Sequence, residues 1–275
     1  MTSAASNLSQ RFPGKRAFIT GAASGLGLAC AEILAREGWR LYLTDVDAAR
    51  LDLVAQSLAR DGVQVAAGAC DVRDGAALRA IIDSAATAAG GLDLVVSSAG
   101  VAAAGAFHLT TDEDWRWVFD INVHGVVDTC RAAITHMANG RGGLIINIAS
   151  AASFCTGPQM SIYNTAKAAV VALSETLMQE YAPHGVQVTV AMPGFFRTRL
   201  IESARGSERT LIAARKQLED SGVEAEEVAE AMLFAAARGR THFVYPSKYA
   251  FLWRVKRAMP QRFQKWLPKL VTRRT

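Results

Sequence analysis

The chain has 275 residues, 51% of them hydrophobic and 20% charged, a balance that suits one large α/β domain with a real core and argues against a disordered or fibrous protein. The formal charge of +5 is unevenly placed: residues 241–275 hold nine Lys and Arg and no Asp or Glu, which leaves 21 basic against 25 acidic side chains in residues 1–240. Four cysteines, Cys30, Cys70, Cys130 and Cys155, form no CxxC pair and meet no histidine at ligand spacing, so neither a metal site nor a disulfide framework is expected and the thiols read as reduced and buried.

In chain order, the polar opening "MTSAASNLSQRFPGKR" lacks the apolar core of a secretory signal, and residues 1–13 are expected to be a flexible segment. No later stretch offers eighteen uninterrupted apolar residues, so a cytoplasmic protein without a membrane span is expected. Seven short apolar or β-branched runs then alternate with segments of helical period: "RAFIT" (16–20), "RLYLTD" (40–45), "VQVAAG" (63–68), "LDLVVS" (92–97), "GLIINIAS" (143–150), "VQVTVAM" (186–192) and "HFVYP" (242–246). Between the first two, Leu26, Ala29, Cys30, Ile33 and Leu34 repeat at helical spacing and Gly38 can end the helix, which makes a βαβ unit. Repetition of that unit predicts a Rossmann-type, doubly wound, parallel α/β sheet of about seven strands in a single domain, spanning 14–246.

The first strand runs into "TGAASGLG" (20–27) and directly into a helix. Glycines let the backbone approach a pyrophosphate, and a helix N-terminus offers free N–H groups and partial positive charge. The second strand ends at Asp45, at the distance where a carboxylate binds an adenosine ribose diol; a tight βα turn with a helix-capping aspartate is the plainer alternative. Further on, "SIYNTAKAAV" (161–170) places Tyr163 and Lys167 four apart, on one face of a helix, where an ammonium can act on a phenol. Ser150 and Ser153 lie upstream, and Asn122 stands in "DINVHG"; isolated Asn and Ser most often satisfy local backbone groups.

"TGAASGLG", "CDV" (70–72), "SSAG" (97–100), "NVHG" (122–125), a serine thirteen before the tyrosine, "YNTAK" and "PGFFRT" (193–198), all in order, together resemble a short-chain dehydrogenase/reductase over residues 14–245. The resemblance implies an NAD(P)-dependent oxidoreductase acting on a CH–OH group, with a catalytic tetrad of Asn122, Ser150, Tyr163 and Lys167 and no metal. By the same resemblance the cofactor meets Gly21, Ser24, Gly25, Leu26, Gly27, Asp45, Asp71, Val72, Ala99, Gly100, Tyr163, Lys167, Pro193, Gly194 and Thr198, and the protein is a homo-oligomer. Asp45 favours NAD over NADP, because a carboxylate accepts from a ribose 2′-OH and repels a 2′-phosphate; Arg50, one turn into the next helix, can partly offset this. Ser97 and Ser98 depart from the family's paired asparagines, which puts side-chain bonds at that sheet edge in doubt.

Phe154, Cys155, Met160, Phe195 and Phe196 are positioned to face a small hydrophobic substrate, a lipid, sterol-like or aromatic alcohol or ketone; packing in the core is their alternative. A non-catalytic dinucleotide-binding sensor or scaffold is the rival function on this fold. Residues 197–222 read as a mobile helical flap or a solvated helix pair. Residues 247–275 form a basic amphipathic extension, with Phe251 or Leu252, Val255 and Met259 on one stripe and Phe263, Trp266, Leu267 and Leu270 on another, broken at Pro260. Three readings are open for it: helices that complete the fold or roof the pocket, peripheral contact with an anionic membrane, or a macromolecular partner. Nucleic acid is not expected, since no recognition motif accompanies the charge.

Overall fold

Seven parallel strands account for all the apolar runs. The structure, a computed structural model, describes residues 4–60, 62–138 and 142–272. In chain order these form α1 (Ala4–Arg11), β1 (Arg16–Thr20), α2 (Gly25–Arg36), β2 (Arg40–Asp45), α3 (Ala48–Arg60), β3 (Val65–Ala69), α4 (Gly75–Ala89), β4 (Leu94–Ser97), β5 (Ala103–Ala104), α5 (Asp112–Phe119), α6 (Gly125–Met137), β6 (Gly143–Ile148), α7 (Ser161–Tyr181), β7 (Val186–Pro193), β8 (Arg205–Gly206), α8 (Glu208–Glu219), α9 (Ala225–Ala237), β9 (His242–Tyr245), α10 (Ser247–Ala258) and α11 (Pro260–Thr272). The main sheet has the order β3-β2-β1-β4-β6-β7-β9 with every pairing parallel, and β5 and β8 make a separate two-residue ladder.

The strands are apolar on both faces because helices cover both. Ala17 and Ile19 of β1, Leu94 and Val96 of β4, and Leu144 and Ile146 of β6 pack with the side chains of α2, α3 and α9. Their alternate neighbours Phe18, Val95 and Ile145 pack with α4, α6 and α7. The strand period of two therefore assigns one residue to each layer in turn. Among the described residues no helix is long and apolar enough to cross a membrane.

Residues 4–11, within the stretch read as a flexible segment, form α1. Leu8 and Phe12 stand four apart and both enter the core beside α9, while Ser9 Oγ accepts from the buried Trp39 indole at 3.0 Å. Two apolar residues on one face anchor an otherwise polar helix. The charged stretch 197–222 is one helix, α8, reached through the short strand β8. It has no strong apolar face of its own, and Leu218 is its one buried side chain among those described.

The extension folds onto the body. Leu252 and Trp253 of α10 pack against the α7 side of the sheet, and Phe263 and Leu267 of α11 are buried. Phe251, Met259 and Trp266 stay exposed, so each predicted stripe is only partly covered; the Leu270 side chain lies outside the described residues.

Candidate active site

The order of the sheet reverses between β1 and β4, and parallel sheets bind ligands in the crevice beyond the strand ends at such a point. The predicted cofactor residues collect there. Gly21, Ser24, Gly25, Leu26 and Gly27 carry the chain from β1 into α2; Asp45 ends β2; Asp71 and Val72 follow β3; Ala99 and Gly100 follow β4; Pro193 ends β7, with Gly194 next.

Gly21 has φ 64°, and a β-carbon there would lie 2.7 Å from the Ala99 nitrogen. Glycine thus permits both the left-handed turn and the close approach of the segment after β4. Ser24 is the N-cap of α2, and its side chain makes no capping bond, so the first N–H groups of the helix point into the crevice. Asp45 Oδ2 accepts from the Ala23 N–H at 2.9 Å and Oδ1 from the Asp47 N–H at 3.0 Å. These bonds fix the carboxylate beside the glycine turn while leaving acceptor capacity on each oxygen. Arg50 leans toward Asp47, 3.4 Å away, which takes up part of its charge.

Asp71 is clasped by Arg73 through Nε and Nη2 at 2.8 and 2.5 Å, and this bonding holds its carboxyl below the usual range. Val72 is buried against Gly125. Thr198 reaches the opposite side of the same turn, since its Oγ1 would be 3.1 Å from a β-carbon on Gly25. The serines that replace the expected asparagines are bypassed: Ser98 N and Ala99 N both donate to Thr20 Oγ1, at 3.1 and 3.2 Å. Thr20, the first residue of the quoted turn motif, supplies that anchorage, and its role could have been sought there.

Tyr163 and Lys167 lie one turn apart near the start of α7, with the Lys167 ammonium 5.7 Å from the phenol ring centre. Both are buried. Burial pushes the phenol up to about 12, partly opposed by the Ser150 hydroxyl beside it, and pushes the ammonium down to about 8. Lys167 Nζ donates to the Ile148 carbonyl at 2.9 Å, at the end of β6. Ser150 follows directly, in extended backbone, and its Oγ accepts from Ala152 N at 3.1 Å. Ser153 turns its hydroxyl onto the Ser150 carbonyl at 2.7 Å, so Ser150, and not Ser153, stands beside the tyrosine.

Asn122 is fully buried in a π-helical turn, Asp120–His124, that joins α5 to α6. Its amide donates to Val101 O and accepts from Val101 N, both at 2.8 Å. It therefore clamps the segment after β4, and a β-carbon on Gly100 would sit 3.2 Å from Asn122 Oδ1 and 3.5 Å from Lys167 Nζ. All four residues converge on one end of the sheet.

The five pocket candidates divide. Phe154 and Phe196 belong to the core layers, Cys155 and Met160 are half-buried, and Phe195 is exposed. Phe154 sits where the chain dips between α7 and the sheet, so its large apolar ring is drawn inward. Sequence reasoning missed Tyr249. It reaches back from α10 to cover Gly194, where a β-carbon would lie 2.0 Å from the ring, and no local pattern links residues so far apart in the chain. It also missed Arg205, which spans Glu113 and Asp114 at 3.1 and 3.2 Å and stacks 4.3 Å over Trp117, fastening β8 to α5.

A sequence profile of the short chain dehydrogenases matches residues 15–209. The chain is similar to 2,3-dihydro-2,3-dihydroxybenzoate dehydrogenase of Bacillus subtilis, 35% identical over 67% of this chain and 71% of that protein. It is likewise similar to cis-4-hydroxycyclohexanecarboxylate dehydrogenase of Sinomonas cyclohexanicum, 34% identical over 84% of this chain and 92% of the relative. Among solved structures, a short-chain dehydrogenase/reductase from Burkholderia phymatum in complex with NAD superposes with a TM-score of 0.82 at 32% identity, covering 88% of this chain and 92% of that one. With the parallel sheet, the glycine turn at its switch point and matches of this extent, the chain belongs to the short-chain dehydrogenase family.

Proposed function

We propose that the protein is a nicotinamide-dependent oxidoreductase that interconverts a hydrophobic secondary alcohol and its ketone, with NAD preferred. The observation that carries this reading is the meeting of Ser150, Tyr163, Lys167 and Asn122 beside the β1–α2 turn. The backbone cradle at Gly21, the uncapped N-terminus of α2 and the Asp45 carboxylate suit a dinucleotide's pyrophosphate and adenosine ribose. Thr198 and the Pro193–Gly194 pair stand where the nicotinamide end would lie. The cofactor, when bound, supplies or accepts the hydride.

The residues do the rest. Tyr163 Oη exchanges a proton with the substrate oxygen, and Ser150 donates a hydrogen bond that orients the carbonyl and stabilises the developing alkoxide. The Lys167 charge lowers the cost of forming a phenolate in a buried site and reaches toward the nicotinamide ribose. Asn122 positions the wall opposite Lys167 through Val101. Homo-oligomeric assembly is part of the same proposal.

An apolar substrate is supported by the surface around the crevice. Phe107 and Leu109 follow β5, Phe195 follows β7 and Ile212 lies on α8, and all four are exposed. The two named relatives act, by their names, on ring alcohols that also carry a carboxylate, so alicyclic and aromatic secondary alcohols, with and without an acid group, head the candidates. A screen of such alcohols and their ketones against straight-chain polyols, read by the absorbance of reduced nicotinamide, tests the proposal. Turnover of polyols alone would overturn the apolar substrate, and cofactor binding with no turnover of any alcohol would favour the sensor.

The protonation states give a pH dependence. Tyr163 is protonated and Lys167 charged at neutral pH, the states that reduction of a ketone requires. Reductive kcat/KM is expected to stay level up to about 8 and to fall as the pH rises further, as Lys167 loses its charge. A break near the ordinary lysine value of 10.5 would mean that burial does not lower the Lys167 ammonium, and a profile level through both values would take Lys167 out of the role.

A further inference from the structure

We propose that the outer face of α10 and α11 is a docking surface for an anionic lipid bilayer. Phe263 and Leu267 hold α11 in place, yet Trp266, next to Leu267 on the same apolar side, is 56% exposed; Phe251 on α10 and Met259 at the bend are 61% and 42% exposed. Apolar side chains of this size left in water beside buried ones mark a face that meets another surface.

The charge pattern says which surface. Arg254, Arg262 and Lys265 are exposed on the same two helices, and among the described residues none of them is paired with a carboxylate. Residues 241–275 contain no acid at all, whereas residues 1–240 carry an excess of acids. A negatively charged surface therefore attracts this face and repels the rest of the molecule, which sets the orientation of docking. Tryptophan and phenylalanine flanked by Arg and Lys match the boundary between headgroups and acyl chains, where an aromatic ring enters the apolar layer and the cations remain with the phosphates. The backbone of Met259 breaks the helix ahead of Pro260, and α11 packs back against α10, while among the described residues neither helix is long and apolar enough to cross the bilayer.

The full chain should sediment with vesicles of phosphatidylcholine and phosphatidylglycerol in equal parts, and not with phosphatidylcholine alone. Raising the salt should release it, because each cation near such a surface contributes about fivefold to binding and is screened within about 8 Å at physiological ionic strength. Arg254→Glu with Arg262→Glu and Lys265→Glu should weaken binding by about 10² or more. Phe251→Ser with Trp266→Ser should abolish it with the thermal transition unchanged, since these side chains are exposed; truncation is avoided because it would remove the buried Phe263. Equal binding of the full chain to neutral vesicles, or its failure to bind anionic ones, would overturn the proposal; a full chain that does not bind anionic vesicles but loses molecular mass by light scattering in the Phe251→Ser, Trp266→Ser variant would assign the face to a second copy of this chain instead.

Discussion

Tyr163→Phe is expected to lower kcat by about 10²-fold or more while leaving cofactor affinity within about threefold of the wild type. The ring keeps its buried place beside Lys167, so the substitution removes the transferable proton and little else. Ser150 cannot replace it, because a hydroxyl with no neighbouring cation is a far weaker acid–base group at neutral pH. Steady-state turnover, with cofactor binding followed separately by fluorescence, separates the two effects. Activity within about threefold of the wild type would remove Tyr163 from the proposed role, since that is far below the effect of general acid–base catalysis.

The second large effect concerns the adenosine end. Catalytic efficiency with NAD is expected to exceed that with NADP by about 10² or more, because a carboxylate and a phosphate about 4 Å apart repel by several kcal/mol even at a surface-like dielectric. Asp45 has little freedom to swing aside, being held by the N–H groups of Ala23 and Asp47. Arg50 has a competing anion in Asp47, which limits what it can offer a 2′-phosphate. Asp45→Asn keeps an acceptor for one of the two N–H groups, Ala23 or Asp47, gives up the other and removes the charge, so it should narrow the preference by at least about tenfold, with some loosening of the turn read as a lower affinity for both cofactors alike. Measured kcat/KM for both cofactors, in wild type and variant, decides the matter; a wild type that prefers NADP would mean the ribose lies away from Asp45.

The layers of the fold were legible because a parallel sheet buried on both faces writes its strands as unbroken apolar runs. Each of the seven runs became a strand, and Leu26, Ala29, Cys30, Ile33 and Leu34 are all buried along α2. The two-residue ladder of β5 and β8 left no trace, since Ala103–Ala104 and Arg205–Gly206 are too short to show a period. Helix α1 was illegible for a related reason: among the described residues its apolar anchors are Leu8 and Phe12, and its bond to the Trp39 indole is long-range, so a pair of apolar residues in a polar run looks like any terminus. The glycine turn, Asn122, Ser150, Tyr163 and Lys167 were visible as spaced motifs. What the motifs could not convey was the long-range support, Thr20 under the segment after β4 and Tyr249 over Gly194, because each depends on how distant elements pack.

The burial of Lys167 also couples folding to protons. In the unfolded chain its ammonium titrates near 10.5, and in the folded protein near 8. Between those values the unfolded state binds more protons, so stability rises with pH across that window; below about 8 both states are charged and the penalty is complete. At neutral pH the fold therefore carries a local cost on the order of 3 kcal/mol for housing this cation. Proteins are stable by only about 5–15 kcal/mol, so Lys167 is a residue that selection for thermal robustness alone would discard; on the proposed function, its presence in the fold is sustained by turnover.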